Sequence, residues 1–177
     1  MYSKITISGL ICSGKTTLFW DLFKKLNWPT FSASHFFRDY SRTHGTSLQK
    51  AEEQTQSLTK VVDFGMLELL KNEQRIILEG WMTGIMADDL PGVLRVFLTC
   101  TDEERIKRFA EREKVSLEEA KVQIKERESN VYGKLQSIYK RNDFLDPKNY
   151  NLVIDTTTKS PQEILTEVLL KIDKHLV

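Results

Sequence analysis

Eight consecutive residues, Gly9-Leu10-Ile11-Cys12-Ser13-Gly14-Lys15-Thr16, constrain this chain more than any other stretch. They fit the pattern Gly-x-x-x-x-Gly-Lys-Ser/Thr, which carries meaning only between a strand and a helix. Both flanks agree. Lys4 to Ser8 includes β-branched Ile5, Thr6 and Ile7, as a strand does. From Lys15 onward, Leu18, Phe19, Leu22, Phe23 and Leu26 recur at three- and four-residue spacing and lay an apolar stripe on a helix that ends before Pro29. The glycines let the backbone close into a nest of inward-pointing N–H groups, and the helix adds its positive dipole end, so the loop is built for phosphate. Lys15 can reach β- and γ-phosphates, Thr16 offers a hard oxygen suited to Mg2+, and Gly9 to Thr17 together are expected to bind the phosphate-bearing cofactor.

The rest of the chain repeats the alternation. Thr30 to Ala33 reads as a second strand and Phe36, Phe37 and Tyr40 as a short helix up to Gly45. A longer helix runs from near Ser47 to near Asn72, despite Gly65. Arg75 to Glu79, Val93 to Thr99 and Asn151 to Asp155 are three further buried strands. Thr101 with Glu104, Ser116 with Glu119 and Ser160 with Glu163 each have capping-box spacing at a helix start, and Pro161 strengthens the third. The last helix presents Ile164, Leu165, Val168, Leu169 and Ile172. Five strands alternating with helices predict an α/β fold of three layers, a parallel sheet covered on both faces. Between Glu103 and Arg141 charges are dense and large apolar residues few, so these helices are expected to project from the sheet and stay mobile.

Composition narrows the function classes. At 177 residues the chain is the size of one domain, since domains commonly run to roughly 100 to 200 residues. A net charge of +1 gives no footprint for nucleic acid or a membrane surface. Asp63, Glu68 and Arg95 interrupt the best apolar runs, and Thr6, Ser8 and Gly9 interrupt a would-be signal peptide, so a cytoplasmic protein is expected. Two cysteines, Cys12 and Cys100, support neither a disulfide framework nor a zinc site. Cys12 lies among N–H groups and beside Lys15, which predicts a stabilised thiolate. Glu79 ends a strand beside the loop strand, where it would hold a metal-bound water.

Beyond the loop, SASHFFR (Ser32 to Arg38), RIILEG (Arg75 to Gly80), DEERIKRFAEREKVSLEEA (Asp102 to Ala120), KERES (Lys125 to Ser129) and YNLVIDTT (Tyr150 to Thr157) resemble the cytidylate kinases, the short form among nucleoside monophosphate kinases. The resemblance covers nearly the whole chain. It implies a P-loop NTPase fold of one domain over residues 1–177, with a helical monophosphate-binding region at about 32–72 and a helical lid at about 113–148. It further implies a monomer that takes small-molecule nucleotides, uses ATP and Mg2+, and phosphorylates CMP or dCMP. Ser32, Ser34 and Asp63 would then border the acceptor, Arg38 would grip its phosphate, Arg108 and Arg112 (over Arg105) would serve the ATP side, and Arg127 with Lys134 would close from the lid.

Departures from the family pattern matter equally. Trp81 stands where the family has arginine after Glu-Gly, so an aromatic borders the acceptor in place of a cation. Phe64 and Gly65 stand at its paired arginines, and Tyr132, Gly133 and Lys134 at its arginine-rich lid run; Lys140 and Arg141 are the nearby candidates to compensate. With a hydrogen bond to a charged group contributing about 1.5 to 3 kcal/mol, losing several should weaken CMP turnover or mark another acceptor. A P-loop kinase for a different small-molecule acceptor stacking on Trp81, and an ATP-binding switch or scaffold without transfer, are the two rival readings.

Overall fold

A computed structural model describes residues 2–46 and 55–173 of the chain. Strands β1 (Lys4–Gly9), β2 (Thr30–Ser32), β3 (Ile76–Glu79), β4 (Val93–Thr99) and β5 (Leu152–Asp155) form one parallel sheet in the order β2-β3-β1-β4-β5. The loop strand β1 is therefore central. Ile7 sits opposite Glu79 on one side and Val96 on the other, which brings the ends of β1 and β3 together at the loop.

Alternation along the strands sorts side chains between two faces. Ile5, Ile7, Ile77, Leu94 and Val96 pack with Leu18, Phe19 and Leu22 of α1 (Lys15–Leu26) and with Leu165 and Val168 of α7 (Pro161–Asp173). Ile76, Leu78 and Val93 pack with Val62, Met66 and Leu70 of α3 (Gln56–Asn72), beside α2 (Ala33–His44). These are the three layers that the alternating elements predict. Burial of strand and helix side chains at 0–1 % exposure, Ile5, Ile7, Leu22, Leu70, Ile77, Leu78, Leu94, Val96 and Leu98 among them, explains why such short strands hold.

The local signals meet different fates. Ser116 caps α6 (Leu117–Tyr139) in a complete capping box with Glu119, and Ser160 and Glu163 exchange the same reciprocal bonds at α7. Thr101 makes no side-chain cap on α5 (Asp102–Glu113), which corrects the first of the three expected boxes. Other partners have taken both halves: the Thr101 N–H donates to Thr157 Oγ1 at 3.0 Å, and Glu104 accepts at 2.9 Å from Nε of Arg108, one turn on in the same helix. The expected start of the long helix near Ser47 lies outside the described residues; α3 begins after Thr55, whose hydroxyl accepts from Leu58 N–H at 3.2 Å. A four-residue helix, α4 (Thr83–Met86), is too short for any periodic pattern to announce. Its Gly84 is required by contact, since a Cβ there would lie 2.4 Å from the Tyr150 ring.

Helices α5 and α6 pack on each other through Phe109, Ala110, Ala120 and Ile124, together with Ile11 of the loop. The far end of α6 rests through Leu135 on Met82, Ile85 and Phe144. The charged segment thus crosses above the loop on two small apolar clusters.

Candidate active site

Gly9 has φ +149, and a Cβ on it would fall 2.5 Å from the Leu98 carbonyl oxygen and 2.7 Å from Ser13 Oγ. Gly14, at φ +95, turns the chain into α1. These two conformations, open to glycine and costly to other residues, shape the nest. Inside it Lys15 is only 7 % exposed, donates from Nζ to the Leu10 carbonyl oxygen at 2.8 Å, and lies 5.8 Å from the Trp81 ring centre. Burial pushes its ammonium down to about 8, against the pull of Glu79, and Arg127 pushes it the same way. A lysine held in that state gains when an anion arrives.

Glu79 is fully buried at the end of β3. Its two carboxylate oxygens accept from Ser32 Oγ at 2.5 Å and Ser34 Oγ at 2.8 Å, so the expected strand-end acid is also what fixes the start of α2. Ser32 has a second duty, accepting from the His35 N–H at 3.0 Å as the cap of α2.

Above the loop opens a cavity of about 510 Å³. Ile11, Cys12, Gly14, Lys15, Thr16 and Thr17 form its floor, and Ser34, Arg38, Trp81, Arg108, Arg112 and Arg127 stand around it. Gly9, Leu10, Ser13, Ser32 and Glu79 do not line it. Arg38 and Arg127 make no hydrogen bond or ion pair with a described residue. Arg127 is pushed down to about 10 by burial, with Arg38 and Arg112 adding repulsion. Six cationic side chains, Lys15, Arg38, Arg108, Arg112, Arg127 and Lys159, line one space here, and a polyanion would relieve their repulsion. Arg108 is held differently, bridging Glu104, Thr156 Oγ1 at 3.2 Å and the Thr156 carbonyl oxygen at 2.7 Å. Arg112 pairs with Glu113 and lies over Phe109. Arg105 is buried against Glu128 and Asp102 beneath the loop and does not line the cavity.

Cys12 lines the cavity with φ +59, and burial pushes its thiol above the ordinary value despite Arg112, Lys15, Arg105 and Arg127. This corrects the expected stabilised thiolate: the charges are present, but desolvation of the anion outweighs them.

A second cavity, about 70 Å³, lies between α2, α3 and α6. Ser34, Trp81 and Arg127 line both cavities and so mark where the two meet. Ala33, Phe37, Met82, Val131 and Leu135 give the smaller one an apolar wall, and Thr59, Asp63 and Lys134 give it polar points. Trp81 stands edge-on to Tyr132, their ring centres 5.4 Å apart, in the place where the family pattern has a cation. Asp63 is 5 % exposed and accepts from the Tyr139 hydroxyl at 2.6 Å. Burial pushes its carboxyl up to about 6, more strongly than the Tyr139 bond and the Lys134 charge pull it down.

Thr59, Tyr139 and Glu128 escaped the sequence reading. Thr59 is one turn before Asp63, a spacing that puts both on one helix face. The other two act across 76 and 117 residues, separations that leave no local signal.

A glycine-shaped phosphate nest at the end of a central parallel strand, roofed by a helical pair carrying arginines, defines the class of P-loop kinases. Within that class the chain belongs to the cytidylate kinase-like family, whose model matches residues 4–158, and it is a nucleoside monophosphate kinase. It is 34% identical over 175 residues to the cytidylate kinase of Pyrococcus abyssi, covering 97% of this chain and 94% of that one. The cytidylate kinase of Thermococcus kodakarensis is also 34% identical, with 97% and 88% covered. Among solved structures, the shikimate kinase of Acinetobacter baumannii aligns with TM-score 0.63 at 16% identity over 99% of this chain and 95% of its own, a likeness of fold. A protein from Eubacterium ventriosum aligns with TM-score 0.73 at 17% identity over 96% and 98%.

Proposed function

We propose that this kinase transfers the γ-phosphoryl group of ATP to CMP or dCMP, giving ADP and the diphosphate. The observation that carries the reading is the junction of the two cavities at Ser34, Trp81 and Arg127. A triphosphate on the loop and a base in the smaller cavity leave an acceptor phosphate at that junction, within the reach of Arg38 and Arg127. Two phosphates held there meet the main requirement of phosphoryl transfer, which is positioning with charge neutralisation. Lys15 steadies the moving group, Arg38 and Arg127 hold the acceptor phosphate, and Lys134 adds charge from the lid side. Arg108 and Arg112 face the ATP side, and Ser34, Asp63 and Trp81 shape the acceptor space, with Ser32 behind them.

The residues present fit Mg2+. Thr16 is exposed at the cavity, and its hydroxyl has no partner among the described residues. Glu79 supplies a carboxylate behind Ser34. No group of three His, Cys, Asp or Glu able to hold a metal occurs among the described residues, so Thr16 and Glu79 would hold the ion alongside phosphate and water. When bound, it neutralises charge on the transferring phosphates.

Trp81 favours one rival, since an aromatic wall suits a flat or apolar acceptor better than a phosphate. A panel of monophosphates and small alcohols separates them, with ADP release in the absence of acceptor as the control. CMP- or dCMP-dependent turnover above every other acceptor is expected. Turnover confined to another acceptor would replace the reading, and ATP binding with no acceptor-dependent turnover would make the chain a switch.

A further inference from the structure

Thr59 is 4 % exposed, lines the smaller cavity, and its hydroxyl has no hydrogen-bond partner among the described residues. Its backbone N–H is already spent on the Thr55 carbonyl oxygen in the first turn of α3, so the orphan is the side chain alone. A buried hydroxyl without a partner costs stability, and native proteins keep few of them. One turn on, Asp63 is half satisfied: the Tyr139 hydroxyl holds Oδ2, and Oδ1 has no hydrogen bond among the described residues. A hydroxyl that can donate and a carboxylate oxygen that can only accept therefore sit side by side in one apolar-walled space.

From this pair, and resting on the acceptor assignment above, we infer that Thr59 is a specificity-determining residue that binds the acceptor's base, and that the base presents a ring-nitrogen acceptor beside an exocyclic amine. The hydroxyl donates to the ring nitrogen while Asp63 Oδ1 accepts from the amine. Both orphans are then satisfied at once. An aminopyrimidine has that edge. Its oxo analogue turns a carbonyl toward Asp63 and meets a carboxylate that cannot donate to it. Phe37 and Trp81 supply the apolar walls that exclude water from the same edge.

The assignment has an unusual signature, because the hydroxyl harms the empty protein and helps the loaded one. In Thr59→Val the shape is kept and the hydroxyl is lost. The empty variant should unfold about 2–4 °C above wild type, the shift for about one kcal/mol in a chain of this size. Its KM for CMP should rise about two- to tenfold, the range of a neutral hydrogen bond, with KM for ATP within about twofold of wild type. The rise in melting temperature on adding CMP should shrink in proportion, and Thr59→Ser, which restores a hydroxyl, should recover KM. A Thr59→Val protein that melts lower than wild type with an unchanged KM for CMP would overturn the inference, since the hydroxyl would then be structural. Equal rises in KM for CMP and ATP would also overturn it. If wild type itself neither turns over CMP nor melts higher with it, the acceptor assignment fails and takes this inference with it; wild type active on CMP with a silent Thr59→Val removes the inference alone.

Discussion

Replacing Glu128 by alanine should loosen the roof from the phosphate loop. Glu128 Oε1 accepts from Arg105 Nη1 at 2.6 Å and from the Ile11 N–H at 3.1 Å, and the same Nη1 donates to the Ile11 carbonyl oxygen at 3.0 Å. The side chains of Arg105 and Glu128 are 5 % and 15 % exposed, so neither is well served by water. Without Glu128, the Ile11 N–H is left without an acceptor, and Arg105 keeps as its ionic partner only Asp102, which is 80 % exposed. Breaking a fully buried pair costs about 3–5 kcal/mol, and the surviving Asp102 contact reduces that to about 2–4. At roughly 2–4 °C per kcal/mol for a chain of this length, melting should fall by roughly 4–16 °C. Glu128→Gln keeps an oxygen for Ile11 and loses only the charge, so it should fall less. The functional consequence follows from adjacency on α6, because Arg127 is carried on the same turn as Glu128. Calorimetry or far-UV melting, with turnover assayed well below the transition, tests both. The alanine variant should lose kcat by about tenfold or more, as a misplaced cation at a phosphoryl-transfer site does. Melting within about 1 °C of wild type would refute the reasoning, since a buried pair that also holds Ile11 has no route by which it could be idle.

Lys15 titrates at about 8 in the empty protein against an ordinary 10.5, so between those values the unfolded chain binds more protons and stability should rise with pH. Over the same window kcat/KM for ATP should fall as the loop loses its cation; a profile flat to about pH 10 would place Lys15 outside the phosphate site. Cys12 should alkylate more slowly than a free thiol at neutral pH because burial holds the proton on it. ATP should slow it further, and peptide mass spectrometry showing fast, nucleotide-independent labelling would contradict its place on the cavity floor.

What could be read from sequence divides along a physical line. The loop was legible because its conformation is set locally: Gly9 and Gly14 adopt φ angles that few other residues tolerate, and their neighbours follow from strand and helix. The strands were legible because a central parallel strand is buried on both faces and must be apolar nearly throughout. Glu79 could be placed for the same reason, as the last residue of such a strand beside the loop. Where a side chain had a choice of partners, local pattern failed. Thr101 and Glu104 have the spacing of a cap, yet Thr157 takes the Thr101 N–H from 56 residues away and Arg108, one turn on in the same helix, takes the Glu104 carboxylate. Cys12 shows the complementary error: nearby charges can be counted from the sequence, but the desolvation that outweighs them depends on α5 and α6 lying over the loop.

The same division explains the acceptor side. Trp81 was visible as a departure from the family pattern, and its consequence could be argued only as a lost cation. In the folded chain its ring forms one wall of both cavities and stands against Tyr132. Arg38 and Arg127 make no hydrogen bond or ion pair with a described residue, so under the proposed reading the charge for an acceptor phosphate would come from α2 and α6 instead of from the residue after Gly80. An arginine at position 81 would crowd a third cation against Lys15 and Arg127, both already pushed down by burial, Lys15 also by Arg127 and Arg127 also by Arg38 and Arg112. The aromatic is thus consistent with the charge balance of this site: under the proposed reading it would leave the phosphate to two arginines held apart on separate helices and give the base a flat wall.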